Sequence, residues 1–535
     1  MSLEGRTGKR EQVRRFFDAV AAGKWVTLVV SCLLLFLVSA SWAISTPLGA
    51  SPDEPAHIIK AASVARGQFI GEITEAPAVT RVQVPSGLAA ASKWPCFAFD
   101  GAKEADCIPE VKNGTDLVGA TTSAGLYNPT YYAIVGLPSL LTDDTSRAVM
   151  LMRLAGGLVA SFFLAITFCA MVRLGNPLWT GLGFVAALTP MVFFLNGAVN
   201  PNALEIATGA ALLASLLVVV TGRSSHDRWW LGAVAISGFL LAQARGLSPL
   251  WMALIAVAVL TFTPWGRLAV LLKRFDVWAT VLILAAGVAV SGMWILLTGT
   301  LGSMGVFPGA GEVGRYEAFV EMLVGRSFDP GLVGVFGWLD TLAPSFNYVL
   351  WSFMALGLVV GALTVARGRA LAGVIVCLAG LMLVPPIVQA ASVETSGYIW
   401  QGRYALVAFV VVMLIAGVAI GADPRMAAAT TGLRQSTRFV GIVGGLVVIG
   451  QVFALITTIK RYSVGTDTSW LDALQQAPLW VPPGGTVIWL VVAGMGMTGI
   501  IVLWAWAFRG SAVGDRRVNR SVPLESSVNA GAVVS

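Results

Sequence analysis

The stretch Trp25-Val26-Thr27-Leu28-Val29-Val30-Ser31-Cys32-Leu33-Leu34-Leu35-Phe36-Leu37-Val38-Ser39-Ala40-Ser41-Trp42-Ala43-Ile44-Ser45 contains no charged residue. A hydrocarbon core of about 30 Å is crossed by about 20 mostly apolar residues in a helix, so this run predicts a transmembrane span. Eleven more runs of the same character follow, at 147–172, 177–195, 203–222, 229–244, 247–263, 277–297, 346–366, 370–390, 404–421, 438–459 and 486–508. Composition agrees: of 535 residues, 56% are hydrophobic and 12% charged, with a mean hydropathy of +0.79. Soluble chains carry roughly 25% charged residues, and disorder goes with low hydrophobicity and high charge. The expected fold class is an all-α integral membrane protein of about 12 transmembrane helices. The runs 229–244 and 247–263 are short and meet at Gln243-Ala244-Arg245-Gly246, which also reads as a shallow hairpin.

The placement of Lys and Arg sets the expected orientation. With the N-terminus inside, the inner segments hold 21 of the 35 basic residues and 8 of the 28 acids. The net charge of +7 is therefore a topology signal and gives no reason to invoke nucleic acid. The layout that follows is a basic cytoplasmic segment 1–24, a polytopic domain 25–508 and a cytoplasmic, disordered tail 509–535. The apolar run from Val26 to Ile44 is longer than the 7–15 residues of a signal h-region, so the first span is expected to remain uncleaved.

Most of the polar chain then lies outside. The first outer loop, 46–130, is too long for a simple connector and is expected to be folded; a second runs over 298–345, with shorter segments at 391–403 and 460–485. Cys96 and Cys107 share the first loop, and an oxidising compartment favours a bridge between them.

Within Pro47-Leu48-Gly49-Ala50-Ser51-Pro52-Asp53-Glu54-Pro55-Ala56-His57, two adjacent carboxylates and one of only two histidines meet the outer interface. Asp53 reads either as a helix N-cap or as a general base that deprotonates an attacking hydroxyl, with Glu54 beside it. His57 is four residues on, on the same helical face, placed to bind a phosphate or tune the acid; His226 reads as a solvated inner-loop residue. Arg245 and Arg403 interrupt apolar sequence near the outer face. Each reads either as a snorkelling side chain or as a clamp on a lipid phosphate, with Arg147 and Arg153 as weaker candidates. Phe336-Gly337-Trp338-Leu339-Asp340-Thr341 reads as an interfacial segment anchored by Trp. Tyr127-Asn128-Pro129-Thr130-Tyr131-Tyr132 reads as an aromatic belt or a site wall. Asn196, Asn200, Pro201 and Asn202 mark a turn, and Glu205 in the following span calls for a partner. Phosphate-loop, dinucleotide, HExxH and nucleophile-elbow motifs are missing from the sequence.

Pro52-Asp53-Glu54-Pro55-Ala56-His57, Asn200-Pro201-Asn202-Ala203-Leu204, Phe336-Gly337-Trp338-Leu339-Asp340-Thr341 and Gln401-Gly402-Arg403-Tyr404 together resemble the signatures of a large bacterial membrane family of unknown function that is similar to GT-C glycosyltransferases. They occur in the expected order over most of the chain, except that Asn202 stands where the second motif has Asp. The resemblance implies a GT-C-like enzyme in the bacterial plasma membrane with its active site on the outer face, and the Lys and Arg placement puts both termini in the cytoplasm. Such an enzyme moves a sugar from a polyprenyl-phosphate donor to an envelope glycan or glycolipid. It implies Asp53 and Glu54 as catalytic, in an inverting displacement, and Arg403 on the donor phosphate, with Arg245 and His57 added from charge and position. Trp338, Asp340, Tyr404, Gln401 and Asn200 become substrate-binding candidates. A divalent cation at Asp53 and Glu54 stays open. The Gly- and Ala-rich composition resembles that of actinobacterial proteins, so arabinofuranose or mannose is the sugar implied by analogy. Two other readings stand beside the enzyme: a lipid-linked glycan flippase or transporter using Glu205 and Arg245, and a non-catalytic scaffold for envelope assembly.

Overall fold

The computed structural model describes residues 24–76, 78–222, 227–300, 305–326, 328–429 and 433–520. The basic segment before Lys24, His226 and residues 521–535 lie outside these. The chain is a helical bundle. Its helices are α1 (Lys24–Ser45), α2 (Glu54–Ala65), α3 (Pro129–Gly136), α4 (Thr145–Met171), α5 (Pro177–Ala187), α6 (Pro190–Asn196), α7 (Asn202–Thr221), α8 (Asp227–Ala244), α9 (Ser248–Phe262), α10 (Trp265–Leu271), α11 (Phe275–Thr298), α12 (Arg315–Gly325), α13 (Ser345–Val365), α14 (Gly368–Ser396), α15 (Gly402–Gly421), α16 (Leu433–Val464) and α17 (Thr486–Arg520), besides shorter turns.

Among the described residues nine helices are long and apolar enough to cross a membrane, or eleven if each of two bent pairs counts as one span. The expected runs reappear as helices, with local departures. The run 177–195 breaks into α5 and α6, bent by 58°, because Pro190 cannot continue the helix through Thr189. The run 247–263 ends at Thr263-Pro264 and turns by 118° into α10. The run 229–244, as α8, falls outside the nine by apolarity, yet it runs from Trp229, beside Trp25 at the start of α1, to Ala244, next to Arg245, and so crosses the bundle. At the C-terminal end α17 continues as helix to Arg520, past the boundary expected at 508.

Burial sorts the helices into a centre and a rim. The apolar stretches of α7 and α15 are 94% buried, whereas that of α11 is 17% buried. α7 packs on α4, α8, α9 and α15, and α15 on α5, α13 and α14. A helix apolar all round belongs at a bundle centre. The rim helices turn Leu282, Leu296, Phe353 and Val487 outward, as lipid-facing helices should.

The first loop is folded, as its length requires. An antiparallel sheet is formed by β1 (Glu72–Ile73), β2 (Thr80–Pro85) and β3 (Leu117–Thr122), with Val82 opposite Ala120. β2 buries Thr80, Val82 and Val84 and exposes Arg81 and Gln83, the period-two pattern of a half-buried strand. Cys96 and Cys107 are bridged between β2 and β3. α2 lies against α3 and the sheet, so the loop forms a cap over the ends of α1, α4, α7 and α15. A second small hairpin pairs β4 (Val335–Phe336) with β5 (Thr341–Leu342).

Candidate active site

The site begins at the turn into α2. Pro55 fits the first helical turn, where its missing N–H goes unneeded. Asp53 occupies the N-cap position in left-handed backbone, φ 65°, and its carboxylate makes no capping hydrogen bond. The cap reading is thereby corrected. Asp tolerates this conformation better than most residues, and strain of this kind clusters at functional sites. The turn also separates the two adjacent carboxylates, which go to different partners.

Glu54 goes inward. Its Oε1 accepts from Arg153 Nε at 2.8 Å and from the Val199 amide at 3.0 Å, and its Oε2 accepts from Arg153 Nη2 at 2.7 Å. The rest of the guanidinium donates to the carbonyls of Ala43, Thr46 and Pro47. Both side chains are shut off from solvent. A buried, bidentate pair ties α1, α2, α4 and the turn before α7 together, with Glu54 accepting three hydrogen bonds and shut off from solvent. The assignment of Glu54 as catalytic is corrected to a structural one, and Arg153 is its partner rather than a phosphate clamp. Asp53 and Glu54 share no ligand set, and among the described residues no three of His, Cys, Asp and Glu gather as one.

Asp53 goes outward, into a chain of charges at the N-terminal ends of the two central helices. Its Oδ2 accepts from Arg403 Nη2 at 2.6 Å; the Asp53 side chain is 50% exposed, while that of Arg403 is 2% exposed. Arg403 Nε and Nη1 are buried and find no acceptor among the described residues. The Tyr404 ring carries both cations, Arg403 at 5.2 Å and Arg245 at 4.4 Å from its centroid, in cation–π range. Arg245 Nη1 donates to Asn202 Oδ1 and lies 3.8 Å from Glu205 Oε2. The Ser248 hydroxyl donates to Glu205 Oε1 at 2.7 Å. Glu205 thus has the partner an intramembrane acid requires.

His57 follows on the same face of α2. Its Nδ1 is 2.8 Å from the Tyr132 hydroxyl, and its ring lies against Tyr127. Burial pushes the imidazole down to about 4, so His57 is neutral at neutral pH and contributes a hydrogen bond rather than a charge for phosphate. For Asp53, burial works to raise the carboxyl, but the Arg403 guanidinium, with Arg245 further off, holds it below the usual carboxylate range. One turn beyond His57, Lys60 is fully buried, its ammonium on the carbonyls of Phe69 and Gly125.

The cluster is flanked by two clefts. Both are narrow: one is lined by Tyr127, Asn128, Arg245 and Trp294, the other by Asp329, Pro386, Trp400 and Gly402.

The other expected residues divide. Gln401 opens α15 beside Arg403, its Oε1 buried without a partner among the described residues. Asn200 accepts from the Asn202 amide and serves the turn into α7. Trp338 donates to the Gly49 carbonyl, and Asp340 is locked to Arg461, which also holds the carbonyls of Phe97, Asp100 and Lys103. These two fasten the hairpin and α16 to the first loop and are corrected from substrate binding to support. Sequence reading passed over Asn202 as an acceptor for Arg245 and Tyr132 as the partner of His57. The visible signal for Tyr132 was its place in an aromatic run beside Asn128-Pro129.

The family model for DUF2142, described as a predicted membrane protein, matches residues 36–413, a range that contains both Asp53 and Arg403. No curated protein matches the chain. Two crystal structures of ArnT from Cupriavidus metallidurans are similar to it at 15% identity and cover 93% of this chain. The apo state gives a TM-score of 0.42 over 78% of that chain, and the state bound to undecaprenyl phosphate gives 0.40 over 79%.

Proposed function

The chain belongs to the DUF2142 family of predicted membrane proteins, and from that premise we propose that it is a membrane glycosyltransferase. It moves a sugar from a polyprenyl-phosphate donor to a hydroxyl of an envelope glycan or glycolipid. The site faces the outer side, and both termini are cytoplasmic. One observation carries the reading: an accessible, ionised carboxylate is held against a buried guanidinium with unspent hydrogen-bonding capacity, at the mouth of the bundle centre.

In this reaction the acceptor oxygen attacks the anomeric carbon from the face opposite the phosphate. The bond from that carbon to the phosphate oxygen breaks, polyprenyl phosphate departs, and the hydroxyl proton passes to Asp53. Arg403 and Arg245, both stacked on Tyr404, are the groups suited to the phosphate charge. An unsatisfied buried N–H on a charged group costs upward of ~1–3 kcal/mol, a deficit that phosphate oxygens relieve on entering. The free site keeps Asp53 ionised and therefore able to accept. Donor phosphate draws Arg403 away and adds negative charge, so the proton affinity of Asp53 rises when the substrate is in place. Gln401 and the cleft walls are placed to meet the sugar.

A transporter or flippase for lipid-linked glycans is the second reading, favoured by the buried Glu205–Arg245 pair. The charges gather at one end of α7 and α15 rather than through both leaflets, which supports the enzyme over it and over a scaffold.

The test uses the full chain in lipid nanodiscs with radiolabelled polyprenyl-phosphate sugars, arabinofuranose and mannose included, and a crude envelope-glycan acceptor. Transfer is expected from wild type, with a loss of ~10²–10⁴-fold in Asp53→Asn. Transfer undiminished in the variant overturns Asp53 as base. Folded wild-type protein that transfers from no donor overturns the enzyme.

A further inference from the structure

The opposite end of the bundle carries a second site, separate from the chemistry proposed above and independent of it. α1 runs from Lys24 to Ser45, roughly 30 Å of helix, so its start lies about a membrane thickness from the Asp53 turn. There a cleft of about 110 Å³ is lined by Trp25, Leu28, Ile166, Arg173, Trp229 and Trp230. Its walls are apolar apart from one guanidinium. Arg173 Nη1 donates to the Cys169 carbonyl, and the guanidinium carbon is 5.9 Å from the centre of the Trp230 ring.

Two observations say what would fill it. The Trp230 residue is 1% exposed, and its indole N–H finds no acceptor among the described residues. Such a donor is expensive to leave unmet in an apolar wall. Secondly, Trp25 projects outward and packs edge-on against Trp229 at 4.8 Å, the arrangement of interfacial aromatics at headgroup level. Lys24 and Arg228 flank these tryptophans in the sequence. α1 and α4 both qualify as membrane spans, so the cleft lies between membrane-crossing helices. Its occupant must bring acceptors only, a negative charge for Arg173 and a hydrocarbon chain for Leu28 and Ile166.

We infer that this cleft binds an anionic phospholipid, its phosphate on Arg173 and a headgroup or ester oxygen on the Trp230 N–H. Basic pockets between spans recognise acidic headgroups in this way. A zwitterionic lipid fits the apolar wall equally well but brings an ammonium toward the Arg173 guanidinium.

The test takes full-length protein, delipidated in detergent, and titrates dioleoylphosphatidylglycerol, dioleoylphosphatidylcholine or inorganic phosphate, read by thermal shift and by native mass spectrometry. Phosphatidylglycerol is expected to raise the melting temperature and remain bound in preference to phosphatidylcholine, while inorganic phosphate has no effect. Arg173→Gln is expected to weaken phosphatidylglycerol binding by roughly tenfold to a hundredfold, the worth of one charge-assisted hydrogen bond. Trp230→Phe keeps the ring and removes the donor, and is expected to weaken phosphatidylglycerol binding; it decides the matter if Arg173→Gln fails to fold. Equal binding of the two lipids by wild type, or undiminished phosphatidylglycerol binding in Trp230→Phe, overturns the inference. Stabilisation by inorganic phosphate alone also overturns it.

Discussion

Replacing Glu54 by Gln separates support from chemistry at the entrance to α2. In the native pair Oε1 meets two donors, Arg153 Nε and the Val199 amide, and Oε2 meets a third, Arg153 Nη2. Gln keeps one oxygen, which goes to the side with two donors. Its NH₂ is then forced against Nη2, donor to donor, with both groups shut off from water. A charge-assisted bond worth ~1.5–3 kcal/mol is lost, and Arg153 keeps a positive charge with no counter-charge. Breaking a buried pair from one side costs ~3–5 kcal/mol. The three carbonyls that Arg153 also holds moderate the loss, so ~3 kcal/mol is expected. Thermal or SDS-driven unfolding in detergent measures it, and the double variant Glu54→Gln with Arg153→Met is expected to recover more than half. Transfer per folded molecule stays within a few-fold of wild type, in contrast to Asp53→Asn. Wild-type stability in Glu54→Gln, or a loss of turnover without a loss of stability, refutes the assignment of Glu54 to support.

Burial pushes the Lys60 amine down to about 7 from 10.5. Between those pH values the unfolded chain holds a proton that the folded chain lacks, so stability rises with pH across that window, by up to ~1.4 kcal/mol per unit. Below about pH 7 the penalty is present in full, and Lys60→Met flattens the rise when melting temperatures at pH 7 and 9 are compared. Opening the Cys96–Cys107 bridge, with a sequence separation of 11, is expected to cost roughly 2–3 kcal/mol. It frees the carbonyls that grip Arg461, which limited proteolysis of the first loop would detect. A methyl group at Gly402 collides with the Asp329 carboxylate. Gly402→Ala is therefore expected to lose ~1–3 kcal/mol by overpacking and to raise the KM for donor by displacing Arg403, read in steady-state transfer assays.

The helices were legible wherever length and apolarity sufficed, since lipid permits little else to span it. Pro190 was visible as well and marks a bend where a straight span was expected, whereas Pro264 follows the expected end of its run at 263. What stayed hidden is long-range pairing. No local pattern says which of two adjacent carboxylates finds Arg153, because that choice rests on the left-handed backbone at Asp53. Arg245 was legible as a charge amid apolar residues, but its acceptor Asn202 was not, since a neutral amide within a turn looks like turn chemistry. Trp338 and Asp340 misled because a recurring motif supports equally well a substrate contact or a clasp, and the partner that decides, Arg461, lies 121 residues away.

The order in which these contacts complete follows from their spacing along the chain. Glu54 and Arg153 are 99 residues apart, whereas Asp53 and Arg403 are 350 apart. At ~5–20 residues per second, the ribosome takes roughly 20–70 s to travel from one member of the longer pair to the other. The tie between α1, α2 and α4 is available early in insertion, while Asp53 waits for its guanidinium until α15 is made. A nascent chain interrupted before Arg403 thus holds a settled entrance and an unpaired acid. Biogenesis builds the frame first and arms the reactive centre near the end.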